Sequence, residues 1–120
     1  MKRLTKKENF IMQMFWENGP MTVNELLELY PEPKPHFNTV STQVRNLEAN
    51  GFFKHRREGM TYRYFPIITP QEYSNAAIGR IVSKCFKNSY IEAVSALVKD
   101  DIITIEELKG LIKEIEAERK

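Results

Sequence analysis

"HFNTVSTQVRNLEANGFFKHRREGMTYRYFP", residues 36–66, changes period in its middle. Up to Asn50 it reads as a helix: Val40, Val44 and Leu47 recur at i, i+4 and i+7, and Gly51 follows as a stop. Beyond Gly51, aromatic and basic residues alternate around Glu58-Gly59, which reads as the turn of a β-hairpin with Gly59 supplying the positive φ. Either His36 or Asn38 could cap the helix, Asn being the better cap residue in general.

Working outward, Ser or Thr followed three residues later by Glu marks a helix start, because each side chain satisfies an orphan backbone N–H. The pattern occurs at Thr5/Glu8, Thr22/Glu25, Thr69/Glu72, Ser89/Glu92 and Thr104/Glu107, each before an apolar pattern of helical period. The first helix runs to Asn18 and is stopped by "GP"; the second, "VNELLELY", is stopped by "PEPKP" at Pro31 to Pro35. Pro70 suits the first turn of the fourth helix. The order helix, helix, helix, hairpin, then three helices predicts a mostly α chain with a small β-hairpin wing: a winged helix-turn-helix followed by a C-terminal helical region. The prolines of "PIITP" place the boundary, giving a winged-helix domain over 1–68 and a three-helix domain over 69–120.

At 120 residues, 42% hydrophobic and 28% charged, the chain has ordinary globular values. No apolar run approaches the ~18 residues of a spanning helix and no signal-peptide h-region follows the basic start, so a cytoplasmic protein without membrane insertion is expected. The net charge of +2 hides an asymmetry. Residues 1–66 hold ten Lys and Arg against seven Glu, a net of +3, whereas 67–120 hold eight against nine acids, a net of −1. The front half is the expected polyanion partner. The lone Cys85 cannot form an internal disulfide and reads as plain core.

Stepping about 100° per residue from the apolar stripe, the outward face of the third helix carries Asn38, Thr42, Arg45 and Ala49, flanked by Thr39, Ser41 and Asn46. A solvated face chosen for stability would be dense in Glu and Lys; Asn and Thr are poorer helix formers. They suit a major groove, where Asn pairs with adenine, Arg with guanine or phosphate, and Thr offers a hydroxyl and a methyl. Lys54, Arg56, Arg57 and Arg63 of the hairpin, with Lys2, Arg3, Lys6 and Lys7 at the N-terminus, read as flanking phosphate contacts.

Enzyme readings fail for want of parts. His36 and His55 are the only histidines, no HExxH, GxSxG or GxxxxGK[ST] occurs, and there is no Cys/His cluster for a metal. Asp100 and Asp101 read as a solvated turn, and no cofactor is expected.

"NTVSTQVRNLEANGFF", "HRREGMTYRYFP" and the three-helix tail together resemble the BlaI/MecI/CopY repressors over nearly the whole chain, the first standing where that family has its recognition helix and "R-L-x-x-K-G" exit. The resemblance implies a homodimeric bacterial repressor on double-stranded operator DNA with inverted half-sites of TACA/TGTA type. Asn38, Thr39, Thr42 and Arg45 or Asn46 would supply its groove and phosphate contacts. It also implies derepression in a β-lactam-type antibiotic response, by cleavage in the tail through a membrane-bound sensor protease pathway; the aligned bond is Ala96–Leu97. Copper-responsive members carry a cysteine-rich C-terminal motif, and "IKEIEAERK" has none.

The apolar stripes of the tail run through Tyr73, Ala77, Ile81, Cys85 and Phe86, then Ile91, Val94, Leu97 and Val98, then Ile105, Leu108, Leu111, Ile112 and Ile115. About 50 residues is small for an independent core, so pairing with a second copy is expected, with Ile81, Phe86, Leu97, Leu108, Leu111, Ile112 and Ile115 in the contact. Two other functions compete. A winged helix used for protein contact would favour apolar or acidic residues at 38, 42 and 45, and a ligand-responsive regulator of the MarR type would need a pocket that the short tail does not obviously offer.

Overall fold

The computed structural model describes residues 1–119. In chain order these form α1 (Lys6–Asn18), β1 (Met21–Thr22), α2 (Val23–Glu28), α3 (Phe37–Ala49), β2 (Phe53–Glu58), β3 (Thr61–Pro66), α4 (Pro70–Cys85), α5 (Tyr90–Lys99) and α6 (Ile105–Glu118). This is a mostly helical chain with a small antiparallel sheet, as its pattern predicts.

The caps fall where Ser/Thr-x-x-Glu places them. At Thr5, Thr22, Thr69 and Thr104 the threonine hydroxyl accepts from the backbone N–H three residues on, and the glutamate accepts from the threonine N–H. At Ser89 the hydroxyl accepts from the Glu92 N–H. The cap of α3 is His36, in extended conformation and without a side-chain cap hydrogen bond; Asn38 lies inside the helix.

Two details of the sheet depart from expectation. Glu58 pairs with Thr61, so the two-residue loop is Gly59-Met60, not Glu58-Gly59. Gly59 takes φ 62 at the first loop position, where a type II′ hairpin requires glycine. The second is β1, a two-residue strand hydrogen-bonded to β3 through Met21↔Tyr64 and Thr22↔Arg63, giving the sheet order β1-β3-β2. Two residues after a proline carry no alternation by which a strand could be read.

The structure divides into two compact units, Met1–Ala77 and Ile78–Lys120. The division falls inside α4 and not at "PIITP". The first turns of α4 belong to the front unit because the Tyr73 hydroxyl accepts from the Leu4 N–H at 2.9 Å and its ring packs near Trp16 and Phe52. The Trp16 indole donates to the Ile68 carbonyl at 2.8 Å, fixing the segment between.

The core of the front unit is Ile11, Met12 and Phe15 of α1, Leu26 of α2, Val40, Val44 and Leu47 of α3, and Met21, Val23, Phe52, Phe53 and Tyr64 around the sheet. The i, i+4, i+7 stripe of α3 is buried completely, which fixes the rotation of that helix about its axis. In the second unit only Val82 is buried among the described residues. Cys85, expected in a core, is exposed. Three short amphipathic helices in one chain cannot fully cover one another, so past Ala77 only Val82 of α4 is buried while Ile78, Ile81 and Cys85 stay exposed.

Candidate nucleic-acid interface

With Val40, Val44 and Leu47 turned inward, the opposite face of α3 must point out. Asn38, Thr39, Thr42, Arg45 and Asn46 are exposed and Ser41 is half-buried. The Thr42 hydroxyl donates to the Asn38 carbonyl at 2.9 Å, and Arg45 lies back along the helix, donating to the Ser41 carbonyl at 3.4 Å and the Thr42 hydroxyl at 3.3 Å. These bonds lie in solvent and are long for Arg45, so exchanging them for a base edge or a phosphate costs little. No carboxylate stands on this face. Glu48, the only acid in α3, is half-buried on the flank and engages the His55 imidazole of β2.

That contact links the hairpin to the end of α3. His55 also packs against Tyr62 and Tyr64, ring centroids 4.6 and 5.6 Å away. Along β2 and β3 the pleat sorts the basic residues. Lys54, Arg56 and Arg57 are exposed; the Arg56 guanidinium sits 5.1 Å from the centre of the Phe65 ring, and Arg57 donates to the Gly59 carbonyl at 3.1 Å, bracing the turn.

Arg63, expected among the phosphate contacts, already has partners within the chain. It stands directly opposite Arg56 in the register, a repulsive pairing unless neutralised. Its guanidinium is committed to Glu25 at 2.9 Å, to Glu58 at 2.9 Å and to the Pro20 carbonyl at 3.1 Å. Hydrogen bonds to Glu58 and Glu25 raise its pKa further. The Thr22 N–H, and then Arg63, hold the Glu25 carboxyl below its usual value. Glu25 therefore caps α2 and anchors the wing at once, a double role that Thr-x-x-Glu spacing does not reveal. At the N-terminus Lys2 pairs with Glu8 at 2.9 Å, so it too has a partner within the chain, while Arg3, Lys6 and Lys7 are exposed.

Phe37, Met60 and Tyr62 escaped the pattern. Phe37 stands three residues before Val40, in phase with the core stripe, yet is 45% exposed; Met60 at the wing tip is 94% exposed. With Ser41 and Tyr62 they border a hollow of about 240 Å³ between the start of α3 and the wing.

In the second unit, the residues expected to pair with another copy are open to solvent or half-buried. Ile81, Leu97, Leu111, Ile112 and Ile115 are exposed, Leu97 least at 36% and Ile81 most at 56%, and Phe86 and Leu108 are half-buried. The Ala96–Leu97 bond lies within the last turns of α5. No helix among the described residues is long and apolar enough to cross a membrane, and no cluster of His, Cys, Asp and Glu among them could hold a metal ion.

The sequence matches the family model described as penicillinase repressor over residues 4–117. Among solved structures, the chain is similar to the solution structure of the DNA-binding domain of the repressor BlaI, with 26% identity, 61% of this chain and 94% of that one covered, and a TM-score of 0.52. It is also similar to reduced AbfR bound to DNA, at 21% identity over 83% of this chain and 74% of that one with a TM-score of 0.46. The third is AbfR of Staphylococcus epidermidis, at 19% identity over 93% and 74% with a TM-score of 0.43. No curated protein matches it.

Proposed function

From a chain that belongs to the penicillinase repressor family, we propose a transcriptional repressor that binds an inverted-repeat operator as a homodimer and is released by cleavage in its tail. Its family is one of repressors and not of enzymes. The observation that carries the DNA reading is the outward face of α3: exposed, free of carboxylates, made of Asn38, Thr42, Arg45 and Asn46, and braced against a wing that presents Lys54, Arg56 and Arg57. Asn38 and Thr42, with Thr39 and Ser41 on the flanks, read base edges in the major groove; Arg45 and Asn46 reach bases or phosphates, and the wing lysine and arginines hold the backbone. Arg63 serves as the strut of the wing.

The homodimer rests on the uncovered apolar residues of α4, α5 and α6, a surface that a second copy would cover and that a two-fold operator would match. Cleavage at Ala96–Leu97 by a signalling protease would separate α6 from the DNA-reading unit and dissolve the dimer. A helical bond must unwind to enter a protease, so α5 opening would gate the switch.

Titrating labelled promoter DNA at several salt concentrations tests the DNA step. Log K should fall linearly with log[salt], at about 0.9 per phosphate contact, because each neutralised phosphate releases counterions. A flat plot would sink the reading.

A further inference from the structure

On the flank of α3 away from the wing lies a cleft of about 420 Å³. Ser41 faces the wing-side hollow, whereas Thr39 and Gln43, about 200° around the helix from it, line the cleft. Phe10 of α1 and Tyr30 form aromatic walls, ring centroids 4.6 Å apart, and Pro31, Pro33 and Pro35 of the α2–α3 connection close the far side. The cleft is held in shape. The Lys34 ammonium donates to the Leu27, Glu28 and Tyr30 carbonyls at 3.0, 3.2 and 3.0 Å, pinning the connection, and three prolines leave it little conformational freedom.

Its mouth carries Lys6 and Lys7, both exposed, and no carboxylate is among the residues that line it. These lysines occupy the first turn of α1, where the helix dipole disfavours cations, so stability did not place them there. Apolar walls with two ammonium groups and a helix N-terminus at the rim complement a flat apolar body bearing a negative charge, and the volume is that of a small-molecule site.

We propose that this cleft is an effector site for a small aromatic carboxylate, and that filling it weakens DNA binding. The second half rests on the DNA reading above. Thr39 belongs to both surfaces, and Lys6 and Lys7 cannot pair with a ligand carboxylate and a DNA phosphate together. The coupling is therefore negative and reciprocal.

The test uses the full chain and 1-naphthoate, followed by amide shifts in a nitrogen–proton correlation spectrum. Saturable shifts should cluster at Phe10, Tyr30, Thr39 and Gln43. The neutral isostere 1-naphthamide should bind at least about fivefold more weakly, as should 1-naphthoate to the Lys6→Gln/Lys7→Gln variant, since one lost charge-assisted hydrogen bond costs about that or more. Tyr30→Ala should abolish binding; should that variant not fold, Gln43→Trp, which fills the cleft from its half-buried edge, should do the same. In an operator titration, 1-naphthoate at about nine times its Kd should raise the apparent DNA Kd about tenfold, the limit of strict competition. Shifts that do not saturate, that scatter over the surface, or that are matched by the amide overturn the site. Saturable binding with unchanged DNA affinity overturns the coupling. Failure of duplex binding without ligand would fall on the repressor reading alone, because the ligand titration is made on the free protein.

Discussion

At the scale of single residues, the basic side chains of the wing divide by what they already touch. Arg63 has two carboxylates and a carbonyl, whereas among the described residues Lys54 has no carboxylate partner and Arg57 has a local carbonyl alone. Arg57→Ala should reduce the salt slope of DNA binding by about one and weaken all sequences alike. Arg63→Gln should leave that slope unchanged and instead speed hydrogen exchange of the β2 and β3 amides, since it removes the strut and leaves Glu25 and Glu58 unpaired. A fall in slope with Arg63→Gln would return it to the phosphate contacts. On α3, Asn38→Ala or Thr42→Ala should cost about 1–3 kcal/mol against the operator and relax base preference at one position, read by titrating single-base operator variants. Unaltered preference in both would place another surface in the groove.

At the scale of elements, the caps do more than start helices. Burial alone would raise the Glu8 carboxyl, but the Thr5 N–H and Lys2 bring it below its usual value; Glu25 is lowered by the Thr22 N–H and Arg63, and Glu107 by the Thr104 N–H. All three therefore bind protons less readily folded than unfolded. Their contribution is complete above the ordinary carboxylate value of 4.5 and is lost as pH falls through the depressed folded values. Thermal melts from about pH 6 to about pH 3 should show Tm falling below about pH 4.5, with a shallower fall in Glu25→Gln. An equal slope in that variant would mean that Glu25 contributes nothing to the acid limb. Thr22→Ala should cost about 1 kcal/mol, a typical cap, and loosen the wing as well because Glu25 loses its fixed position.

At the scale of the whole molecule, the front unit has a complete core and the second does not. Leu108→Glu or Ile112→Glu should give monomers whose winged helix still folds. A carboxylate buried in an apolar contact costs several kcal/mol, while Ile11, Phe15, Leu26, Val40, Val44 and Leu47 are untouched. Operator affinity should then fall by roughly 10²–10⁴, the avidity that two joined modules gain over one. Sedimentation paired with an operator titration reads both steps; a dimeric variant, or a monomer that binds as the parent does, would refute the coupling. Cutting the chain at Ala96–Leu97 should reproduce the same loss with the bases read by α3 unchanged.

Local rules and period determined much of this protein before any packing was known. The caps at Thr5, Thr22, Thr69, Ser89 and Thr104, the buried stripe of α3 and the switch to alternation after Gly51 depend on neighbours within a few residues, and each stands in the structure where the sequence puts it. Tertiary structure decided what depends on distant partners. Arg63 acquired carboxylate partners because β-register set it opposite Arg56 and Thr22 and brought Glu25 within reach. Two residues at Met21–Thr22 became a strand because β3 had a free edge there. Phe37 and Cys85 fit apolar periods yet stand exposed, because a period names the face of a helix but not whether anything covers it. The cleft at Phe10 and Tyr30 has no sequence signature at all, since its walls come from segments about 20 residues apart that meet only when α1 and the α2–α3 connection pack beside α3.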